Sequence, residues 1–163
     1  MGEKVTPRQL KEEIMDFLRQ HKSASLATCM GNIPRSSPVL YFLGRQMNIY
    51  ILSAGGEKFK AIEENPNVCL LVNTDYINFR RIKGVQIFGQ AISSIQDDRI
   101  LEEAMEFIPD LEIDGLKSGD LMGIKITPIE IVYLDSIRDG DRTKQILKND
   151  QILIETDDLI LRQ

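Results

Sequence analysis

Residues 33–66 place the strongest limits on the fold. They contain Ile33-Pro34-Arg35-Ser36-Ser37-Pro38-Val39-Leu40-Tyr41-Phe42, then Ile49-Tyr50-Ile51-Leu52-Ser53-Ala54-Gly55-Gly56-Glu57-Lys58-Phe59, and end at Glu64-Asn65-Pro66. Two apolar strands therefore precede a Gly-Gly loop that opens a short basic helix. Proline disfavours helix in the residue before it, so the helix predicted over Glu57–Glu64 stops at Asn65. Free backbone N–H groups at a helix start attract anions, and Lys58 adds a formal charge beside them. Arg35 and Ser36 can face the same place from the preceding strand. The pattern predicts a cradle that suits a phosphate monoester, although Gly-Gly is also an ordinary turn sequence.

The rest of the chain continues the strand-and-turn pattern. Thr6-Pro7-Arg8-Gln9 reads as a capped helix start, with Thr6 and Gln9 as a capping box and Pro7 in the first turn. Leu10, Ile14, Phe17 and Leu18 then form one apolar stripe. A strand of small residues, Ser23–Met30, meets the hairpin turn Gly31-Asn32. The next strand, Arg35–Leu43, contains Pro38, which suggests an edge or a bulge. Gly44-Arg45 turns into Met47–Leu52. The near-continuous apolar run Val68–Val72 reads as a central strand, and Val85–Ile95 as a long one. Asp97 caps a helix expected to reach about Ile108, with Ile100, Leu101, Ala104, Met105 and Ile108 inward. An acidic loop is expected over Pro109–Gly119. Leu121–Thr127 and Ile129–Leu134 read as strands separated by a bend at Pro128. Residues Asp135–Thr143 read as loop, and Asn149-Asp150 and Asp157-Asp158 as turns. No internal repeat or low-complexity linker interrupts the 163 residues, which suit one domain, 1–163. The expected class is mainly β with α insertions, built on an antiparallel sheet that closes into a barrel or stacks as a sandwich.

Charge and composition exclude several function classes. The formal net charge is −5. Seven Lys/Arg face four Asp/Glu between Ile33 and Lys83, whereas nine Asp/Glu face two Lys/Arg between Asp97 and Asp120. The acidic stretch argues against nucleic acid as a partner. No apolar run nears the roughly 20 residues that span a bilayer, and the amino terminus lacks an apolar secretion signal. Cys29 and Cys69 sit in apolar strand contexts and read as buried thiols of a cytoplasmic protein. His21 is the sole histidine and reads as a helix C-terminal cap or surface residue. No cluster has metal-site spacing, no Ser-His-Asp set is available, and glycine-rich dinucleotide and Walker sequences are missing.

Several segments, in order, resemble the flavin-binding split-barrel family that includes pyridoxamine 5'-phosphate oxidase. They are Lys22-Ser23-Ala24-Ser25-Leu26-Ala27-Thr28, Gly31-Asn32-Ile33-Pro34-Arg35, Ser37-Pro38-Val39 and Leu52-Ser53 with Lys58. Glu64-Asn65-Pro66-Asn67-Val68, Gly84-Val85-Gln86-Ile87-Phe88-Gly89-Gln90-Ala91 and Ile126-Thr127-Pro128 before Ile131-Val132-Tyr133 complete the likeness. It covers roughly Leu10 to Leu134 and leaves 134–163 as a variable extension. The resemblance implies an antiparallel split β-barrel with flanking helices, a homodimer, and flavin mononucleotide (FMN) at the dimer interface. By position, Arg35 and Lys58 would hold the phosphate. Ser36 and Ser37 would approach the flavin. Ile51, Leu52 and Ser53 would present backbone or hydroxyl groups near the isoalloxazine edge, and Gln86 would reach in from the partner subunit.

The chain also departs from that family. Gly56-Glu57-Lys58 stands where Ser-Arg-Lys is common, so Glu57 replaces a phosphate-binding arginine. Arg80, Arg81 or Lys83 are the candidates to restore that charge. The chain has no tryptophan, and Arg138-Asp139-Gly140-Asp141-Arg142 only superficially echoes the family's late substrate motif. The oxidase substrate and its catalytic residues are therefore not carried over. The resulting expectation is an FMN-dependent oxidoreductase acting on a small redox substrate, with no residue assigned as acid or base. A non-catalytic flavin sensor is the alternative, and a haem-binding split barrel a third reading.

Overall fold

The computed structural model describes residues 5–108 and 120–161. The expected acidic loop Pro109–Gly119 lies outside these. Helix α1 spans Pro7–Arg19. The Thr6 backbone N–H donates to Gln9 Oε1 at 2.8 Å, and the Gln9 N–H donates to Thr6 Oγ1 at 3.1 Å, the reciprocal capping box. Leu10, Ile14, Phe17 and Leu18 are all buried. At the helix end, His21 Nδ1 lies 2.9 Å from the Phe17 carbonyl, an N–H donor to that acceptor in the matching tautomer. The sole histidine is therefore a C-terminal cap.

Eight strands follow: β1 Ser23–Met30, β2 Ile33–Leu43, β3 Ile49–Ser53, β4 Asn67–Asn73, β5 Lys83–Ser93, β6 Met122–Asp135, β7 Lys144–Lys148 and β8 Gln151–Glu155. They pair in the order β3-β2-β1-β4-β5-β6-β7-β8, and an additional β3–β6 pairing returns the ladder to its start. That closure makes the sheet a barrel rather than a sandwich, with β7 and β8 as an added hairpin. Helix α2 spans Glu57–Glu64, α3 spans Arg99–Met105 and α4 spans Asp158–Leu161. Both short hairpins use left-handed turn residues: Gly31 and Asn32 at φ 56° and 63°, Asn149 and Asp150 at 52° and 57°.

Several details differ from the sequence expectations, among them the start of α4 at Asp158, where a turn is expected. The two late strands are one, β6, running through Pro128. Its ladder with β3 covers Met122–Ile126 and its ladder with β7 starts at Glu130, so Pro128 falls between them, where a missing N–H is tolerated. Helix α3 stops at Met105, and its N-cap position is Asp98. Asp97 instead accepts the Arg99 N–H at 3.0 Å and binds the Arg99 guanidinium. Ile100, Ala104 and Ile108 are buried, but Met105 is exposed. Cys29 and Cys69 are free but half-buried rather than buried. The expected edge character at Pro38 does appear within β2. Pro38 pairs with Ser25 of β1, while the β3 register begins only at Leu40.

The described residues form two compact units. The first takes the chain through His21, Leu71–Ile87 and everything from Ile129. Its core joins the α1 stripe to Val72, Val85, Ile87, Ile131, Tyr133 and Leu147. Ser136, fully buried there, ties two loops: its Oγ accepts the Ile82 N–H at 3.0 Å and lies 2.6 Å from the Arg80 carbonyl.

The second unit takes Lys22–Leu70 and Phe88–Pro128. Leu26, Ile49, Ile51, Ile62, Leu70, Ile124 and Ile126 fill it. Glu103 anchors α3 onto the strands: Tyr50 Oη donates to it at 2.9 Å and Lys125 Nζ at 2.8 Å. Those two bonds, the Lys125 one foremost, hold the Glu103 carboxyl below its usual range.

One pH dependence follows from the second unit. Tyr41 is 5% exposed, and burial pushes its phenol from 10.0 to about 12. A raised acid pKa means that the fold prefers the neutral ring. Its contribution is intact below pH 10.0 and is lost as pH rises toward about 12. Allowing for partial solvent screening, about 1–2 kcal/mol should disappear over that window. Alkaline unfolding followed by circular dichroism should begin at higher pH in Tyr41→Phe. An unchanged profile would remove Tyr41 as the cause.

Candidate phosphate cradle and the family of the chain

Most of the residues that the sequence singles out come from three consecutive elements of the second unit. Leu40 pairs with Leu52 and Tyr41 with Ile51, so β3 ends at Ser53 while β2 continues backward through Ser37, Ser36 and Arg35. On its other side this part of β2 pairs with β1: Arg35 with Thr28, Ser36 with Ala27, Ser37 with Leu26. Helix α2 packs against β1 and buries Phe59, Ala61 and Ile62. The register thus sends the Ala54–Gly56 loop and the start of α2 to the end of the sheet that carries Arg35–Ser37. Arg35 and Ser36 are exposed, and Ser37, Leu52, Ser53 and Lys58 half-buried. Ile51 is fully buried, so only its backbone is available to a ligand.

The loop geometry depends on glycine at two positions. Gly55 and Gly56 have φ 131° and 121°, which side-chain-bearing residues rarely adopt. Gly56 is the N-cap of α2, and no side chain caps that helix. Ser53 Oγ braces the loop, donating to the Gly55 carbonyl at 3.0 Å and accepting the Gly55 N–H at 3.3 Å. Lys58 Nζ folds back to donate to the same carbonyl at 2.7 Å. A Cβ on residue 56 would stand 3.2 Å from that ammonium. Burial lowers the Lys58 pKa, an electrostatic cost that a nearby anion would offset. An uncapped helix start, a glycine loop and a partly desolvated lysine together suit an anion. Glu57 sits exposed in the first turn, where a carboxylate is compatible with the helix dipole.

Gln86 belongs to the first unit, half-buried on β5 in the wall of a cavity. The three candidate replacement cations already have partners there. Arg80 pairs with Asp157, Arg81 Nε donates to the Ile137 carbonyl, and Lys83 lies 3.6 Å from Asp135 and over the Phe17 and Tyr133 rings. Sequence reasoning set Arg142 aside as part of the Arg138–Arg142 echo and missed Lys144, and both line that same cavity. Lys144 opens β7, whereas Arg142 lies in the irregular segment before it, so no strand alternation in the sequence joined the two. Among the described residues, no group of His, Cys, Asp and Glu is placed to hold a metal, and no helix is long and apolar enough to cross a membrane.

Comparisons with known proteins agree with this architecture. General stress protein 26 of Bacillus subtilis is 28% identical over 143 residues, covering 85% of this chain and 96% of that protein. A solved FAD-binding protein of Mesorhizobium loti shares the fold at TM-score 0.52, with 19% identity over 74% of this chain and 90% of its own. A haem-binding protein of Mycobacterium smegmatis shares it at TM-score 0.58, with 14% identity over 89% of this chain and 57% of its own. The family model described as pyridoxamine 5'-phosphate oxidase matches residues 10–135, from the α1 stripe through the end of β6. This chain belongs to the pyridoxamine 5'-phosphate oxidase family.

Proposed function

We propose that the chain is an FMN-binding oxidoreductase that works as a homodimer. The observation that carries this reading is Lys58 folded 2.7 Å onto the Gly55 carbonyl at an uncapped Gly-Gly helix start. Arg35, Lys58 and the first N–H groups of α2 hold the phosphate. Ser36 and Ser37 line the approach from β2, and the backbone of Ile51 and Leu52 with the Ser53 hydroxyl faces the ring edge. When bound, FMN supplies hydride or electron transfer to a small-molecule substrate, and the chain positions it and tunes its ring. The M. loti relative supports a flavin in this fold.

The dimer is supported by β5. Val85, Ile87 and Ala91 are 0%, 1% and 6% exposed, whereas Phe88 and Ile92 on the alternate face are 37% and 36% exposed. A second subunit is a natural cover for that face and would bring its Gln86 to the flavin. Two free thiols support a cytoplasmic location.

The test is the absorbance spectrum of purified protein, followed by calorimetry with FMN and riboflavin. Apoprotein should turn yellow on reconstitution and bind FMN at least about tenfold more tightly than riboflavin, since only FMN offers charge-assisted bonds to the cradle. Equal affinities would reject the phosphate assignment.

A further inference from the structure

Among the described residues, β8 is the one strand of the sheet order with a single neighbour, β7. The bonding pattern of its open edge follows from the turn before it. Asn149 and Asp150, at φ 52° and 57°, form a two-residue hairpin in which Lys148 faces Gln151. Such a turn closes on a hydrogen-bonded pair, and bonded and non-bonded pairs alternate from there. Gln151, Leu153 and Glu155 thus spend their backbone groups on Lys148, Ile146 and Lys144. Ile152 and Ile154 point theirs away from β7, and no described residue bonds to them.

Edge strands that stay single usually carry a proline, a lysine, a bulge or a cover. The β7–β8 ladder is unbroken from Gln151 to Glu155, so β8 has no bulge, and it contains neither proline nor lysine. Its centre is Ile152-Leu153-Ile154, with Leu153 and Ile154 52% and 59% exposed on opposite faces. The chain beyond β8 turns back toward the segment before β7. The Asp157 N–H donates to Thr143 Oγ1 at 3.2 Å, and the Asp157 carboxylate accepts the Arg142 N–H at 3.0 Å and pairs with Arg80. That path leaves the outer edge of β8 uncovered.

The strand is complementary to itself. In an antiparallel pairing centred on Leu153, Ile152 meets the partner's Ile154, and both have free N–H and C=O groups. The two such pairs make four hydrogen bonds. Gln151 meets the partner's Glu155, so no like charges oppose. Sliding the register by two residues pairs Ile152 or Ile154 only with itself and halves the bonds. A parallel, in-register pairing sets Glu155 beside the partner's Glu155, which is unfavourable. The two-fold arrangement consumes both open edges and therefore closes.

We propose that β8 is a docking edge for β8 of a second copy of this chain, joined antiparallel about Leu153 into one continuous sheet. The contact needs neither flavin nor the β5 face, so it stands or falls apart from the flavin dimer.

Diamide oxidation of Leu153→Cys, in a Cys29→Ser/Cys69→Ser chain on non-reducing gels, tests the register without FMN and at saturating FMN. The two copies of residue 153 stand about 4.5 Å apart at Cα, within disulfide reach. Most of the chain should become a covalent dimer in both conditions. Gln151→Cys alone should not cross-link, because its two copies stand ~14 Å apart. An equal mixture of Gln151→Cys and Glu155→Cys should cross-link. Ile154→Pro removes an outward N–H that bonds nothing within the chain, so the fold should persist. By sedimentation without FMN it should raise the dissociation constant of chain association at least about tenfold. Should it fail to fold, the cysteine variants decide. No covalent dimer from Leu153→Cys, equal cross-linking by Gln151→Cys alone, or folded Ile154→Pro associating like the parent chain would each overturn the proposal.

Discussion

Gly89→Val should destabilise the protein by about 3 kcal/mol or more, the overpacking range and above. Gly89 is buried on β5, and an added Cβ would stand 2.4 Å from the Thr127 carbonyl oxygen and 3.0 Å from Ile126 Cγ2. The nearer atom is backbone, so no rotamer change relieves the clash. Nor is β6 free to retreat there, since Ile126 pairs with Ile49 of β3. Gly89 does not have a positive φ, so alanine would otherwise gain from lower unfolded-state entropy. Any loss in Gly89→Ala is therefore steric, and about 1–3 kcal/mol is expected. Gly31 is the opposite case. It has φ 56° and nothing within 4 Å of a built Cβ, so Gly31→Ala should cost only the conformational term, about 1–2 kcal/mol. Urea unfolding of the three variants separates space from backbone. A Gly89→Val protein within 0.5 kcal/mol of wild type would refute the close β5–β6 approach.

Local signals made most of the fold legible. Thr6-Pro7-Arg8-Gln9, Gly31-Asn32, Asn149-Asp150 and Glu57–Glu64 before Asn65-Pro66 each carry their own turn or cap chemistry, and each stands where that chemistry put it. The failures needed tertiary information. Pro128 reads as a break, because the sequence does not show that two different partner strands flank it. The Cys69 neighbourhood reads as fully buried, yet Val68, Leu70 and Val72 take the core face and leave Cys69 half-buried. The candidate site was legible where it is local: Ser53, Gly55, Gly56 and Lys58 lie within six residues, and Ser53 and Lys58 both hydrogen-bond to Gly55. Barrel closure through β3–β6 could only come from the family likeness. That Arg142 and Lys144 line one cavity stayed hidden because that cavity is assembled from segments far apart in the chain.

Arg35→Ala and Lys58→Ala should each weaken FMN binding by about 1.5–3 kcal/mol, the cost of a lost charge-assisted bond. Neither change should unfold the protein. Arg35 is exposed and, among the described residues, forms no ion pair, and Lys58 gives up one hydrogen bond to the Gly55 carbonyl and its place over the Phe59 ring. Riboflavin affinity should stay nearly constant in both variants, because the removed charges address the phosphate. Glu57→Arg should raise FMN affinity, replacing an exposed anion in the first turn of α2 with a cation. The same series tests the shared site. If Gln86 reaches the flavin from a second subunit, FMN binding and dimerisation are linked, and FMN lowers the apparent dimer dissociation constant. Sedimentation across a dilution series should show that shift for wild type and little of it for Arg35→Ala/Lys58→Ala. Unchanged FMN affinity in both single variants would move the phosphate elsewhere. A monomer saturating with FMN at full stoichiometry would leave the cradle in place and eliminate the shared site.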